Sequence, residues 1–232
     1  KTTDPGHKRN RPADGNPILR VYETFSSLQG ESTWAGLPCF FIRLAGCNLS
    51  CRYCDTLSAR DLAAGREMTV AELVALAKSS GLALVEITGG EPLLQTGTPA
   101  LCRALLATGV RVLLETNGSL PFGRLPAGVI RIMDVKCPGS GESSRLHRAN
   151  LAALRPQDEV KFVLTDRHDY EYARRMIRRH QLHQKTTNLL FSPAWAQLDS
   201  EELAAWIMAD RLPVRLQLQL HKLIWGPECV GV

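Results

Sequence analysis

The chain has 232 residues, 44% hydrophobic and 22% charged, with a formal net charge of +5. That composition is globular and long enough to bury a real core. No apolar run approaches the roughly 20 residues of a membrane helix, and no signal-peptide pattern is present. A cytoplasmic protein that neither spans nor binds a membrane is therefore expected.

Residues 1–17 are polar, rich in proline and glycine, and without apolar period. They read as a disordered extension or tag remnant, leaving residues 18–232 as a single domain. Residues 19–25 alternate as a strand does, and Gln29-Gly30-Glu31 breaks the pattern. Residues 40–44 form a second apolar run that leads into Gly46-Cys47. Thr69 followed by Glu72 marks a capped helix start, with the helix running to residue 79. A buried strand over 83–88 ends in Gly89-Gly90-Glu91-Pro92. A helix over 98–108 and a strand over 110–115 follow. Residues 130–135 and 159–164 read as strands, 169–180 and 200–210 as helices, and 215–221 as a last alternating strand.

Strands alternate with helices, the pattern of parallel β/α units closed or partly closed into a barrel. In such folds the chemistry gathers at the C-terminal ends of the strands. Four polar motifs fall there, at Gly46-Cys47, at 88–92, at Glu115-Thr116-Asn117-Gly118 and at Asp134-Val135-Lys136. Residues 116–128 and 137–142 are rich in Gly and Pro and lack a clear helix. The expected architecture is an α/β partial barrel, trimmed by shortened or missing crossover helices.

Seven cysteines stand at 39, 47, 51, 54, 102, 137 and 229. An odd number without export signals argues against a disulfide framework. Cys47, Cys51 and Cys54 are spaced C-x3-C-x2-C, so one loop can hold three irons of a cubane and leave the fourth open. Structural zinc takes paired knuckles with four protein ligands, and no second pair follows. The basic groups at 8–11 and at 174, 175, 178 and 179 suit a solvated helix face, a nucleic-acid surface or an anionic small molecule. Direct nucleic-acid binding is not expected. A zinc- or cluster-bearing nucleic-acid module stays as the reading from another class.

The cysteine spacing after a strand, with Tyr53 just before the last ligand and Gly89-Gly90-Glu91 downstream, resembles the radical S-adenosylmethionine (SAM) superfamily over roughly residues 19–227. The resemblance implies a 4Fe-4S cluster on the three cysteines, SAM as cofactor, and Glu91 receiving the methionyl amino group. Three further segments, at 25–31, at Cys54-Asp55-Thr56 and at 216–222, are similar to the 7-carboxy-7-deazaguanine synthase family. That family contracts the ring of 6-carboxy-5,6,7,8-tetrahydropterin, releases ammonia, forms homodimers and requires magnesium. It implies substrate contacts from Leu28, Gln29, Gly30, Glu31, Arg43, Thr88, His221 and Pro227. It implies Thr56 as a magnesium ligand, and SAM contacts from Tyr53, Asp55, Gly90, Asp134, Lys136, Ser192 and Trp195. A flavodoxin or ferredoxin is the implied reductant.

Some readings stay open on the residues alone. Arg43 in an apolar strand needs an anion, either a substrate carboxylate or a buried ion-pair partner. Thr56 also suits a helix cap, and Gln219 an ordinary half-buried strand. A glycyl-radical activase of the same superfamily shares the cysteine loop and the short barrel. Two departures from the family stand out. Ser32 occupies the usual glycine of the QGEG loop, and the chain runs on past Pro227, where some relatives end.

Overall fold

A computed structural model describes residues 16–232, with one nine-stranded sheet at its centre. Of the first three strands, β1 (Ile18–Leu28) lies between β2 (Pro38–Leu44) and β3 (Arg66–Thr69) and runs antiparallel to both. From β2 onward the sheet is parallel, through β4 (Leu84–Gly89), β5 (Arg111–Thr116), β6 (Ile130–Asp134), β7 (Glu159–Leu164), β8 (Leu189–Pro193) and β9 (Arg215–Leu216). The order β3-β1-β2-β4-β5-β6-β7-β8-β9 leaves the barrel open between its edge strands.

Helices cover one face of this sheet: α1 (Val70–Ser79), α2 (Thr98–Leu106), α4 (Arg167–Arg179) and α5 (Ser200–Asp210). The expected cap of α1 is complete. The Thr69 hydroxyl accepts from the Glu72 amide, and the Glu72 carboxylate accepts from the Thr69 amide, so two orphan donors are satisfied at once. Asp166 and Asp199 cap α4 and α5 in the simpler way. Outward residues such as Ile42, Ile87, Leu114, Val160 and Phe191 pack under these helices and are fully buried.

The crossover from β5 to β6 has no helix, as expected. Phe122 substitutes for one, inserting into the core at 1% exposure. The Arg131 guanidinium lies 4.3 Å from its ring centroid and pairs with the buried Asp158 carboxylate. From β6 to β7 the only α-helix is one turn, α3 (Ala149–Ala152).

Three differences from the sequence reading matter. Strand β8 is new: Leu-Leu-Phe is too short and too uniformly apolar to show alternation. Strand β3 is new for a similar reason, being four residues long. The strand expected over 215–221 ends at Leu216, and a short helix, α6 (Leu220–Trp225), replaces its second half. No strand lies beyond β9 to pair with it, so Gln217 and Gln219 bond to the loop after β1 instead. Of the expected 1–17 extension, residues 1–15 lie outside the described residues, and the Pro17 carbonyl already accepts from Val70.

Candidate active site

The other face of the sheet is concave. Its lower half is an apolar plug of Cys39, Phe41, Leu84, Leu113 and Ile132. One step nearer the C-terminal rim the same strands turn charged, because successive side chains alternate and Arg43, Glu86, Thr88, Glu115, Asp134 and Lys161 continue the inward rows.

The cysteine loop lies across this rim. Its start is fixed by β4, whose Gly90 and Glu91 amides donate to the Leu44 and Gly46 carbonyls at 3.1 and 2.8 Å. A Cβ on Gly90 would collide with the Gly46 carbonyl oxygen, so only glycine allows this approach. Further along, Asn48 donates to Ser119, and the Ser50 amide donates to Glu142. The loop is thus laced to the segments after β4, β5 and β6. Cys47, Cys51 and Cys54 are free and half-buried. Burial pushes the Cys47 thiol up and that of Cys51 up to about 11, with Lys136 acting in the opposite direction on both. Asn117 donates toward the Cys47 sulfur at 3.8 Å. Three thiols with one amide donor and a nearby ammonium are the donor set of an open cubane, and iron binding would release their protons.

Among the described residues, Asp166, His168 and Asp169 bring ligand atoms within 4.8 Å of one another. The fold already employs them. Asp169 accepts from the Gly139 and Thr165 amides and the Thr165 hydroxyl, and Asp166 caps α4.

Beside the cluster loop, Lys136 pairs with Asp134 at 2.7 Å and stands 5.9 Å from the Tyr53 ring centroid. The other Asp134 oxygen, Oδ1, is buried and has no hydrogen-bond partner among the described residues. An orphaned carboxylate oxygen next to the cysteines suits a cationic or N–H donor, as the SAM reading requires. Ser192 is buried on β8, and Trp195 is exposed beyond it on a groove of about 580 Å³ shared with Gln219 and Leu223. Glu91 lies at the same rim, its amide bonded to the Gly46 carbonyl. It is fully buried, and its carboxylate accepts from the Leu93 and Asn117 amides and the Thr116 hydroxyl, tying β4 to β5. Burial pushes its pKa up to about 7.

The loop after β1 forms the opposite wall. Leu28 ends the strand half-buried. The Gln29 amide donates to the Glu86 carboxylate and accepts from the Glu31 amide. Burial, then the Glu115 charge, pushes Glu86 well above the usual carboxylate range. Gly30 packs against His221, where a Cβ would strike the imidazole. Burial lowers the His221 pKa, so the ring is neutral at pH 7. Ser32 adopts φ 63°, in the left-handed region that favours glycine. Its amide donates to Gln217, and its hydroxyl accepts from the Trp34 amide.

Arg43 pairs with Glu23 through Nε at 2.7 Å and lies over the Phe25 ring. The structural ion pair considered for Arg43 therefore exists. Among the described residues no acceptor meets its terminal nitrogens, which leaves them for a ligand. Thr88 donates to Glu115. The Thr56 hydroxyl donates to Asp55, and it makes no cap bond to the short helix that follows. Asp55 is held well below the usual carboxylate range: burial opposes this, but Lys222 at 2.9 Å outweighs it. Pro227 is exposed beyond α6.

Two pocket residues were absent from the sequence reading of the site: Glu86 and Lys161. Both carried a readable signal, since each interrupts an otherwise apolar strand. Glu115 and Lys222 stood in motifs without a role of their own, and the partner of Lys222, Asp55, lies 167 residues away.

The sequence profile of the radical SAM superfamily matches residues 41–189. The chain belongs to that superfamily, and its cofactors are a 4Fe-4S cluster and SAM. Three 7-carboxy-7-deazaguanine synthases lie close to it. The one from Koribacter versatilis is 45% identical, covering 92% of this chain and all of the relative. The one from Chlorobaculum tepidum is also 45% identical, over 92% and 97%. The one from Methanospirillum hungatei is 44% identical, over 96% and 92%. Within the superfamily the chain is a member of the 7-carboxy-7-deazaguanine synthase family. The crystal structure of QueE from Escherichia coli shares the fold, with a TM-score of 0.71 over 88% of this chain and 95% of that one, at 22% identity. No described helix is long and apolar enough to cross a membrane.

Proposed function

We propose that this chain converts 6-carboxy-5,6,7,8-tetrahydropterin to 7-carboxy-7-deazaguanine by radical ring contraction with loss of ammonia, in deazapurine (queuosine) biosynthesis. The observation that carries it is one rim: the cysteine loop and a closed-bottomed, charged pocket share it. When bound, the cluster and SAM supply the one-electron chemistry that opens the reaction.

The chain's own residues bind, orient and exclude water. The apolar plug closes the pocket floor, so a molecule of pterin size meets the charged layer and goes no deeper. The free terminal nitrogens of Arg43 suit a substrate carboxylate. Thr88, Gln29 and Glu31 present polar atoms from three sides, and His221 closes the wall over Gly30 as a neutral ring. Asp134 Oδ1 and Lys136 would hold SAM, together with Tyr53, Asp55, Gly90, Glu91, Ser192 and Trp195. The Thr56 hydroxyl, beside Asp55, is a hard oxygen donor suited to Mg2+, which keeps most of its shell in water and substrate oxygens. The protein works as a cytoplasmic homodimer of single-domain chains, reduced by a flavodoxin or ferredoxin. A pocket built for a small molecule gives nothing to the activase reading, which needs a docking face for a protein.

The test is anaerobic reconstitution of the cluster, followed by SAM, Mg2+, reductant and the carboxytetrahydropterin, with Cys51→Ala as control. Many turnovers of product per SAM consumed is the expected result. Deoxyadenosine without that product would overturn the substrate assignment and leave the superfamily standing.

A further inference from the structure

Lys161 is the one ammonium at the centre of the charged layer, on the inner side of β7 and 4% exposed. Burying an ammonium is costly unless it is surrounded by partners. Its Nζ lies 2.6 Å from Glu31, also bonds Glu115, and stands 3.8 Å from Asp134. These three carboxylates come from the loop after β1, from β5 and from β6. Lys161 therefore joins the substrate wall, the sheet and the SAM side through one atom. The remaining charges that bear on this group are Glu86 from β4, Arg43 from β2, the buried Glu159 from β7 itself, and Asp55 and His221 near the rim.

A cation used only to hold strands together would be expected to be fully matched within the sheet. Two features of this one differ. Glu31 and Glu115 keep 18% and 27% exposure, so each turns part of its carboxylate toward the cavity. Both also accept from pocket side chains, Glu31 from Gln219 and Glu115 from Thr88. The ammonium anchors the carboxylates from below, and their outer edges stay open to a ligand.

We infer that Lys161 is a positioning residue of the reaction: it holds Glu31 and Glu115 aimed into the cavity as paired acceptors for N–H donors of the substrate. This rests on the pterin reading above. Burial pushes Glu31 up, but the Lys161 charge and the Gln219 and Lys161 hydrogen bonds outweigh it and hold its pKa at about 2. Removing the ammonium leaves burial unopposed by that charge, so the acid protonates more readily and loses its aim.

The experiment compares reconstituted wild-type enzyme with Lys161→Met and Lys161→Arg. Lys161→Met is expected to retain cluster absorbance. Its KM for the carboxytetrahydropterin should rise at least about tenfold, the loss of one charge-assisted contact. The acid limb of its kcat/KM profile should move to higher pH, and Lys161→Arg should recover most of both effects. An unchanged KM and an unmoved acid limb in Lys161→Met would overturn the inference. A second readout needs no turnover. In Lys161→Met the folded-state pKa of Glu31 rises, so its contribution to stability is present at low pH and is lost as pH rises through the new value. The melting temperature of Lys161→Met should therefore fall, relative to wild type, between roughly pH 5.5 and pH 8, and adding Glu31→Gln should flatten that slope. A wild-type pH dependence of melting would overturn the inference too. If Lys161→Met does not fold, the KM of the double variant with Glu31→Gln, set against Glu31→Gln alone, carries the comparison. If wild type releases deoxyadenosine but makes no deazaguanine, the pterin reading fails, and the melting series still judges Lys161.

Discussion

Glu86 and Ile87 are neighbours on β4, and they face opposite sides of the sheet. Ile87 points outward, fully buried under helices among other apolar side chains. Glu86 points inward, 3% exposed, beside Gln29, Glu115 and Lys161. The outer face gains stability from area removed from water, at about 25 cal/mol per Å². The inner face spends part of that gain on desolvated charge, which only a bound ligand fully uses. Function and stability are thus separated by a single residue step along each strand.

Four substitutions sharpen or break that division. The largest effect is expected at the rim, where Gly90→Ala drives a Cβ into the Gly46 carbonyl oxygen. The cysteine loop must shift, and cluster content by iron assay, together with deoxyadenosine release, should fall to near the Cys51→Ala level. Retention of both would show that the glycine is needed only for the strand. Next come the β4 neighbours, which should move stability in opposite directions. Ile87→Ala should cost about 2–5 kcal/mol in chemical denaturation, from lost transfer energy and the cavity left behind. Glu86→Gln should stabilise, with the sign set by its pKa. A carboxyl whose folded pKa is raised contributes fully below its unfolded value and loses that contribution as pH rises through the folded one. The gain in Glu86→Gln should therefore grow from roughly pH 5 to pH 8. A destabilised Glu86→Gln would mean that the ionised carboxylate carries structural weight after all. The smallest effect belongs to Thr69→Ala, which removes half of the α1 capping box far from the pocket. It should cost about 1 kcal/mol and leave turnover per folded molecule unchanged.

The rim was legible in the sequence because its signals are local. Cys47, Cys51 and Cys54 stand in one loop, and Gly89-Gly90-Glu91 directly follows a strand. The helix starts at Thr69 and Ser200 were legible for the same reason, since caps sit next to what they cap. What stayed hidden depends on distant partners. The Leu-Gln-Leu-Gln stretch alternates as a strand does, yet Gln217 and Gln219 serve residues near position 31, and no local pattern records that. The role of Glu91 was half legible: its place beside the cluster loop followed from the motif, but its bonds to Thr116 and Asn117 needed the β4–β5 pairing. Lys161 looked like one polar residue in a strand until β6 put Asp134 next to it.

The bond from the Gln219 side-chain amide to Glu31 spans 188 positions, and that from the Ser32 amide to the Gln217 side-chain oxygen spans 185. Closing so large a loop carries an entropy cost that shorter contacts do not, and contacts of this kind form late. The cysteine loop needs only residues up to about 142, through Gly46, Asn48 and Ser50. During synthesis on the ribosome, the metal-binding rim can therefore take shape well before the wall behind it. The cavity stays open on that side until residue 222 has emerged, and the iron–sulfur donor meets its target while the way in is widest.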